Sequence, residues 1–208
     1  MSALQPLLLA GGRSSRMGRR KELRPLVHDI PIYMHLLRIL DLACPHSSIV
    51  YLSLRSPDCL RDILNDPRVT EVSPGKLAIE VDGSSTLVQV IYDRPSDDSL
   101  NTEDDMGPAG GLLAAHRFDA QATWQVVAYD YPFLSVSALH HLQHEMAGPV
   151  TCFQNADGFC EPLLGVWTPE AMHMLDQNVQ KGFAGQNQSF ASALERRSGH
   201  GMIGVCSI

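Results

Sequence analysis

Apolar runs and helical repeats alternate along this chain. Leu4 to Ala10 is short, continuous and apolar and stops at Gly11-Gly12, the pattern of a strand buried on both faces. From Pro31 to Leu42 the residues Ile32, His35, Leu36, Ile39 and Leu40 recur at three-to-four spacing, which predicts a helix with a proline in its first turn. Ile49 to Leu54 reads as a second strand, Asp58 to Asn65 as a short helix and Leu87 to Tyr92 as a further strand. Pro108 to Phe118 predicts a helix after a Gly-Pro start, and Trp124 to Tyr129 a strand ending at Asp130. Ser135 to Met146 reads as helix with Ser135 as N-cap. Short strands follow at Pro149 to Gln154 and Pro162 to Trp167, then helices at Pro169 to Gln180 and Phe190 to Arg197.

Strands alternating with helices of this length imply right-handed crossovers and a mainly parallel sheet covered on both faces, an α/β fold. No internal repeat or Pro/Ser-rich linker divides the 208 residues, which fit one domain. The acidic stretch Arg94 to Asp105 has no apolar periodicity and reads as a surface loop.

Composition narrows the function. The 44% hydrophobic and 19% charged residues are those of an ordinary globular chain, and the net charge of −7 argues against a general nucleic-acid binder. Yet six of the 16 Lys and Arg residues lie between Arg13 and Arg24, a basic patch on an acidic body that suits a small polyanion. Cys44, Cys59, Cys152, Cys160 and Cys206 are odd in number and form no C-x-x-C pair. They read as reduced thiols in a cytoplasmic protein. No apolar run approaches the roughly 18–20 residues that span a bilayer.

Three segments carry candidate chemistry. In the first, Leu9, Ala10, Gly11 and Gly12 lead into Arg13, Ser14, Arg16, Arg19, Arg20 and Lys21. Glycines let the backbone approach a ligand with N–H groups exposed, while the cations match phosphate oxygens. The segment is neither a Walker A loop nor G-x-G-x-x-G. In the second, Asp130 ends an apolar strand before Tyr131-Pro132, and Asp93 ends another. Carboxylates so placed either hold Mg²⁺ for a nucleotide or cap a turn. In the third, Gly107-Pro108-Ala109-Gly110-Gly111 opens a helix with small residues, for ligand approach or for tight packing. His140, His141 and His144 share one helical stretch without a third ligand position, and read as surface or packing residues.

In order and spacing, Leu9 to Lys21, Gly107 to Leu112, Asp130 to Leu134 and Glu161 to Trp167 resemble the molybdenum cofactor guanylyltransferases and their cytidylyl relatives. The resemblance implies a three-layer α/β/α, Rossmann-like nucleotidyltransferase fold whose Gly-rich loop wraps a triphosphate. Leu9, Ala10, Gly11, Gly12, Arg13, Ser14, Lys21, Asp93 and Gly107 would bind the nucleotide, with room for a two-ring base beside Gly11. Asp130 would bind Mg²⁺, and Arg16, Lys21 and Asp130 would serve catalysis. The implied reaction moves a nucleoside monophosphate, GMP from GTP, to a phosphorylated acceptor such as molybdopterin and releases pyrophosphate. The implied partners are small molecules, not nucleic acid or membrane. A cytidylyltransferase, or a non-catalytic nucleotide-binding domain of a longer protein, remains open. Arg20 stands where the family has Asp, and relative to that family the single domain reads as shortened at its C-terminus.

Overall fold

The computed structural model describes residues 4–11, 25–27, 29–93, 106–155, 157–181 and 204–207. Its framework is one nine-stranded sheet around β1 (Gln5–Leu9), which pairs in parallel with β4 (Val50–Leu54) on one side and β8 (Trp124–Ala128) on the other. Beyond β4 lies β7 (Ser84–Tyr92), also parallel. A small separate ribbon pairs β2 (Pro25–Val27) with β3 (Ile30–Pro31).

Alternate side chains of β1 enter different cores, which explains its unbroken apolar run. Leu8 faces a cluster with Leu36 and Leu40 of α1 (Ile32–Ala43), Ile63 of α2 (Pro57–Leu64) and Leu139 of α4 (Val136–His144). Leu7 and Leu9 face the other cluster, with Leu112 and Ala115 of α3 (Pro108–Phe118) and Met172 of α5 (Pro169–Gln180). The result is the expected three-layer α/β/α arrangement.

Antiparallel strands extend the four parallel ones on both flanks. On one flank β7 is followed by β6 (Lys76–Val81) and β5 (Val69–Ser73). Neither was expected from the sequence, although the turn from β6 into β7 carries its signature: Asp82 and Gly83 both have positive φ, as a two-residue hairpin turn requires. On the other flank stand β10 (Cys160–Trp167), β9 (Val150–Gln154) and β11 (Gly204–Ser207), in that order.

Ser135 caps α4 as expected, its Oγ accepting from the Ala138 N–H at 3.2 Å. His140, His141 and His144 are exposed on that helix, in keeping with surface histidines. The cysteines need one correction. Cys44, Cys59 and Cys152 are buried thiols, but Cys160 is in a disulfide, and bridging follows from Cβ placement in the fold rather than from spacing along the chain. The predicted loop Arg94 to Asp105 and helix Phe190 to Arg197 lie outside the described residues. Among the described residues no helix is long and apolar enough to cross a membrane.

Candidate functional site

The ends of β1, β4, β7 and β8 come level at the carboxyl edge of the sheet, where open α/β sheets hold ligands. Backbone hydrogen bonds continue the sheet past its formal ends. The Tyr129 N–H donates to the Leu9 carbonyl (3.2 Å), the Ala10 N–H to the Ser53 carbonyl (2.9 Å) and the Asp93 N–H to the Leu54 carbonyl (2.9 Å). The segments leaving this edge therefore start from fixed positions.

Asp93 is the buried carboxylate of this edge, 9% exposed. Its side chain is oriented from β4, because Ser53 Oγ donates to Asp93 Oδ1. Its carbonyl accepts from Arg117 Nη2 of α3 at 3.1 Å. Its second oxygen, Oδ2, lies where a Cβ on residue 11 would stand, so only glycine fits there. This corrects one expectation: the space beside Gly11 is filled by a carboxylate rather than kept for a base. Gly111 is required for a similar reason. A Cβ there would come within 2.7 Å of Ser53 Oγ and 2.8 Å of Leu9 Cδ2, so its absence lets α3 press onto the ends of β1 and β4.

Asp130 sits on the other side of β1. It is exposed at the end of β8, three strand spacings or roughly 14 Å from the end of β7 that carries Asp93. β10 runs antiparallel to β8 with Leu164 opposite Val127. Glu161 lies further along β10, outside those paired residues. There Tyr131 Oη donates to Glu161 Oε2 at 2.8 Å. Burial, then this hydrogen bond and the nearby carboxylate charges, push the Tyr131 phenol above its ordinary range, so it stays a protonated donor. Pro162 has no N–H for a ladder, and the β9–β10 register shifts between Glu161 and Gly165. Such a bulge re-aims side chains at a sheet rim.

Of the predicted site residues, Leu9 is 6% exposed, with its side chain in the α3 and α5 core and its carbonyl bonded to Tyr129. Ala10 is buried and Gly11 half-buried beside Asp93. Gly107 is the N-cap of α3, with φ 53° and ψ −138°. The structure thus gathers Gly11, Asp93 and the start of α3 on one side of β1 and leaves Asp130 on the other. Gly12, Arg13, Ser14, Arg16 and Lys21 lie outside the described residues. Ser53, Arg117 and the Tyr131–Glu161 pair were not anticipated. Ser53 had a signal: a serine in the apolar run Val50 to Leu54 needs a partner when buried.

Comparison with known proteins gives the family and the fold. A family model described as the MobA-like NTP transferase domain matches residues 6–197. A Synechocystis protein, named molybdenum cofactor biosynthesis bifunctional protein, is 28% identical over 184 residues, covering 85% of this chain. The chain spans 43% of that relative's length. Molybdopterin-guanine dinucleotide biosynthesis protein A from Archaeoglobus fulgidus superposes with a TM-score of 0.56 at 19% identity, over 86% of this chain and 74% of its own. A Mycobacterium tuberculosis protein solved in complex with manganese gives 0.51 at 18% identity, over 89% of this chain and 84% of its own.

Proposed function

The chain belongs to the MobA-like NTP transferase family, and from that premise we propose that it transfers GMP from GTP to a phosphorylated acceptor of the molybdopterin type, releasing pyrophosphate. The observation that carries this reading is Asp93, a buried carboxylate locked by Ser53 at the carboxyl edge of a parallel sheet, with the backbone of Gly11 against it. The names of the Synechocystis and Archaeoglobus proteins direct the reading to a guanine nucleotide and a pterin acceptor.

In this mechanism the Asp93 carboxylate accepts from N–H or O–H groups of the nucleoside. Leu9, Ala10, Gly11, Gly12, Arg13, Ser14 and Gly107 enclose the nucleotide. Arg16 and Lys21 neutralise charge on the triphosphate, which for this chemistry counts as much as positioning. An oxygen of the acceptor phosphate forms the bond to the α-phosphorus as the bond from that phosphorus to the α–β bridging oxygen breaks. Pyrophosphate leaves with that oxygen. The reaction is placed in the cytoplasm as part of the same proposal.

The residues present suit a divalent cation completed by its substrate. Asp130 offers hard carboxylate oxygens at the exposed edge, next to Tyr131, whose hydroxyl donates to Glu161. Among the described residues no group of three or more metal-ligating side chains forms a cage. Mg²⁺ characteristically takes one or two carboxylates plus substrate phosphates. Asp130 would hold it, and when bound it supplies positive charge to the phosphate oxygens. The manganese complex of the mycobacterial neighbour supports a divalent ion.

Thermal melting with GTP or CTP at matched concentration and saturating Mg²⁺ tests the donor, since stabilisation follows mass action. GTP is expected to raise Tm more than CTP does. Equal shifts, or a larger one with CTP, would replace guanylyl by cytidylyl transfer.

A further inference from the structure

The rim beyond Asp130 carries two aromatic rings that nucleotide binding does not use. Phe133 is 87% exposed and Phe159 69%, the two highest values for any large hydrophobic side chain among the described residues. They flank one hydrogen bond. Phe133 stands two residues after Tyr131, Phe159 two before Glu161, and Tyr131 Oη donates to Glu161 Oε2.

Both rings are displayed on fastened turns. Beside Phe133, the Leu134 N–H donates to the Tyr131 carbonyl at 3.1 Å, and Ser135 at once caps α4. Around Phe159, Asn155 Oδ1 accepts from the N–H groups of Asp157 and Phe159, each at 3.0 Å. The Asn155 N–H donates to the Phe159 carbonyl at 2.9 Å, and Gln154 Nε2 donates to the Gly158 carbonyl at 2.9 Å. Covering a phenyl ring removes apolar surface from water and is favourable, so a loosely held turn would fold its ring back onto the protein. By contrast, Phe118 at the opposite end of the sheet packs edge-on against Tyr51 at 5.4 Å between ring centroids.

We propose that Phe133 and Phe159 form a stacking platform for the planar heterocycle of the acceptor. The proposal rests on the nucleotidyl-transfer reading above. β10 lies two strand spacings from β1, roughly 10 Å, so the platform stands on the far side of Asp130 from Asp93. A nucleoside held at Asp93 and a ring held against the phenyls would meet through their phosphates near Asp130. Phenyl faces recognise flat ring systems regardless of their hydrogen-bonding edge, which suits a fused pterin ring whose phosphate arm points along the sheet edge.

The test uses the full chain, free 6-hydroxymethylpterin as probe, and the quenching of its fluorescence. Phe133→Ala and Phe159→Ala should each weaken pterin binding by about fivefold or more, as for loss of one stacked aromatic. Phe133→Tyr and Phe159→Tyr should restore it, and the GTP-induced rise in Tm should stay unchanged in all four variants. Unchanged pterin affinity in both Ala variants overturns the platform. So does a wild-type protein that binds GTP but no pterin, or a concentration-dependent dimer that both Ala variants abolish. Absence of any GTP shift in the wild type overturns the nucleotidyl-transfer reading itself, a separate outcome.

Discussion

Ser53 donates its hydroxyl to Asp93 while the Asp93 amide donates to the carbonyl of Leu54, the next residue of the same strand. Side chain and backbone of Asp93 are thus both tied to the end of β4, and its carboxylate cannot turn without breaking a buried hydrogen bond. Of its two oxygens, Oδ1 faces Ser53 and Oδ2 faces Gly11. A carboxylate fixed in this way meets a nucleoside already oriented, which lowers the ordering cost of binding. Ser53→Ala should reduce stability by about 1–3 kcal/mol, because it withdraws a donor from a buried charged group. It should also weaken GTP binding. Urea unfolding and calorimetry measure the two effects, and unchanged GTP affinity would separate Asp93 from the nucleotide.

Gly11 and Gly111 make a contrasting pair. An added methyl at Gly11 overlaps the Asp93 carboxylate itself, whereas one at Gly111 meets Ser53 Oγ and Leu9 Cδ2 inside the packed layer. Gly111→Ala is expected to cost about 1–3 kcal/mol by overpacking, a fall in Tm of about 2–12 °C for a chain of this size. Gly11→Ala, at a half-buried edge, should lower GTP affinity by about tenfold, or about 1.4 kcal/mol, with a smaller change in Tm. Calorimetric scans with and without nucleotide distinguish the two, and the reverse ranking would contradict the placement of Asp93.

Much of this architecture is written in the periodicity. β1, α1, α3 and α5 fall within a residue or two of their predicted limits, since a twice-buried strand is a continuous apolar run and a packed helix repeats every three to four residues. The hairpin of β5 and β6 escaped because Thr70, Glu71, Val72 and Ser73 are exposed on an outer strand and carry almost no apolar signal. Leu77, Ile79 and Val81 do alternate with Lys76, Ala78 and Glu80, and Asp82-Gly83 marks the turn. In the site, Gly11, Asp93 and Asp130 were readable as residues at strand ends. Their partners were not: Ser53 reaches Asp93 across 40 residues and Tyr131 reaches Glu161 across 30, pairings set by strand order rather than by local sequence.

Asp130 is exposed, so its replacement should leave the fold intact. Asp130→Asn is expected to change stability by no more than about 0.5 kcal/mol and to abolish Mg²⁺-dependent pyrophosphate release. Wild-type turnover in this variant would remove Asp130 from the mechanism. A large fall in Tm without ligand would show it to be a turn cap instead.

Stability should decline on the alkaline side. Burial pushes the Cys44 and Cys152 thiols up to about 12 and raises the Tyr33 and Tyr131 phenols above their ordinary range. In the unfolded chain thiols and phenols ionise near about 8.5 and 10. These folded values lie above the unfolded ones, so the contribution is complete below about pH 8 and is lost as pH rises towards the folded values. Urea midpoints should therefore fall steadily from pH 8 to 10.5. A Cys44→Ala, Cys152→Ala double variant should show a shallower fall, and equal slopes would contradict the burial of these thiols.

The proposed transfer is defined by where the α-phosphorus of the nucleotide ends up. Incubating the full chain with Mg²⁺, a phosphorylated pterin acceptor and GTP labelled at either the α- or the γ-phosphate, then separating the products, answers that directly. The predicted result is α-label in a new pterin–guanosine product and γ-label in pyrophosphate, with neither appearing when the acceptor is omitted. Label released as orthophosphate with formation of GDP, or intact GTP whatever the acceptor present, would contradict it.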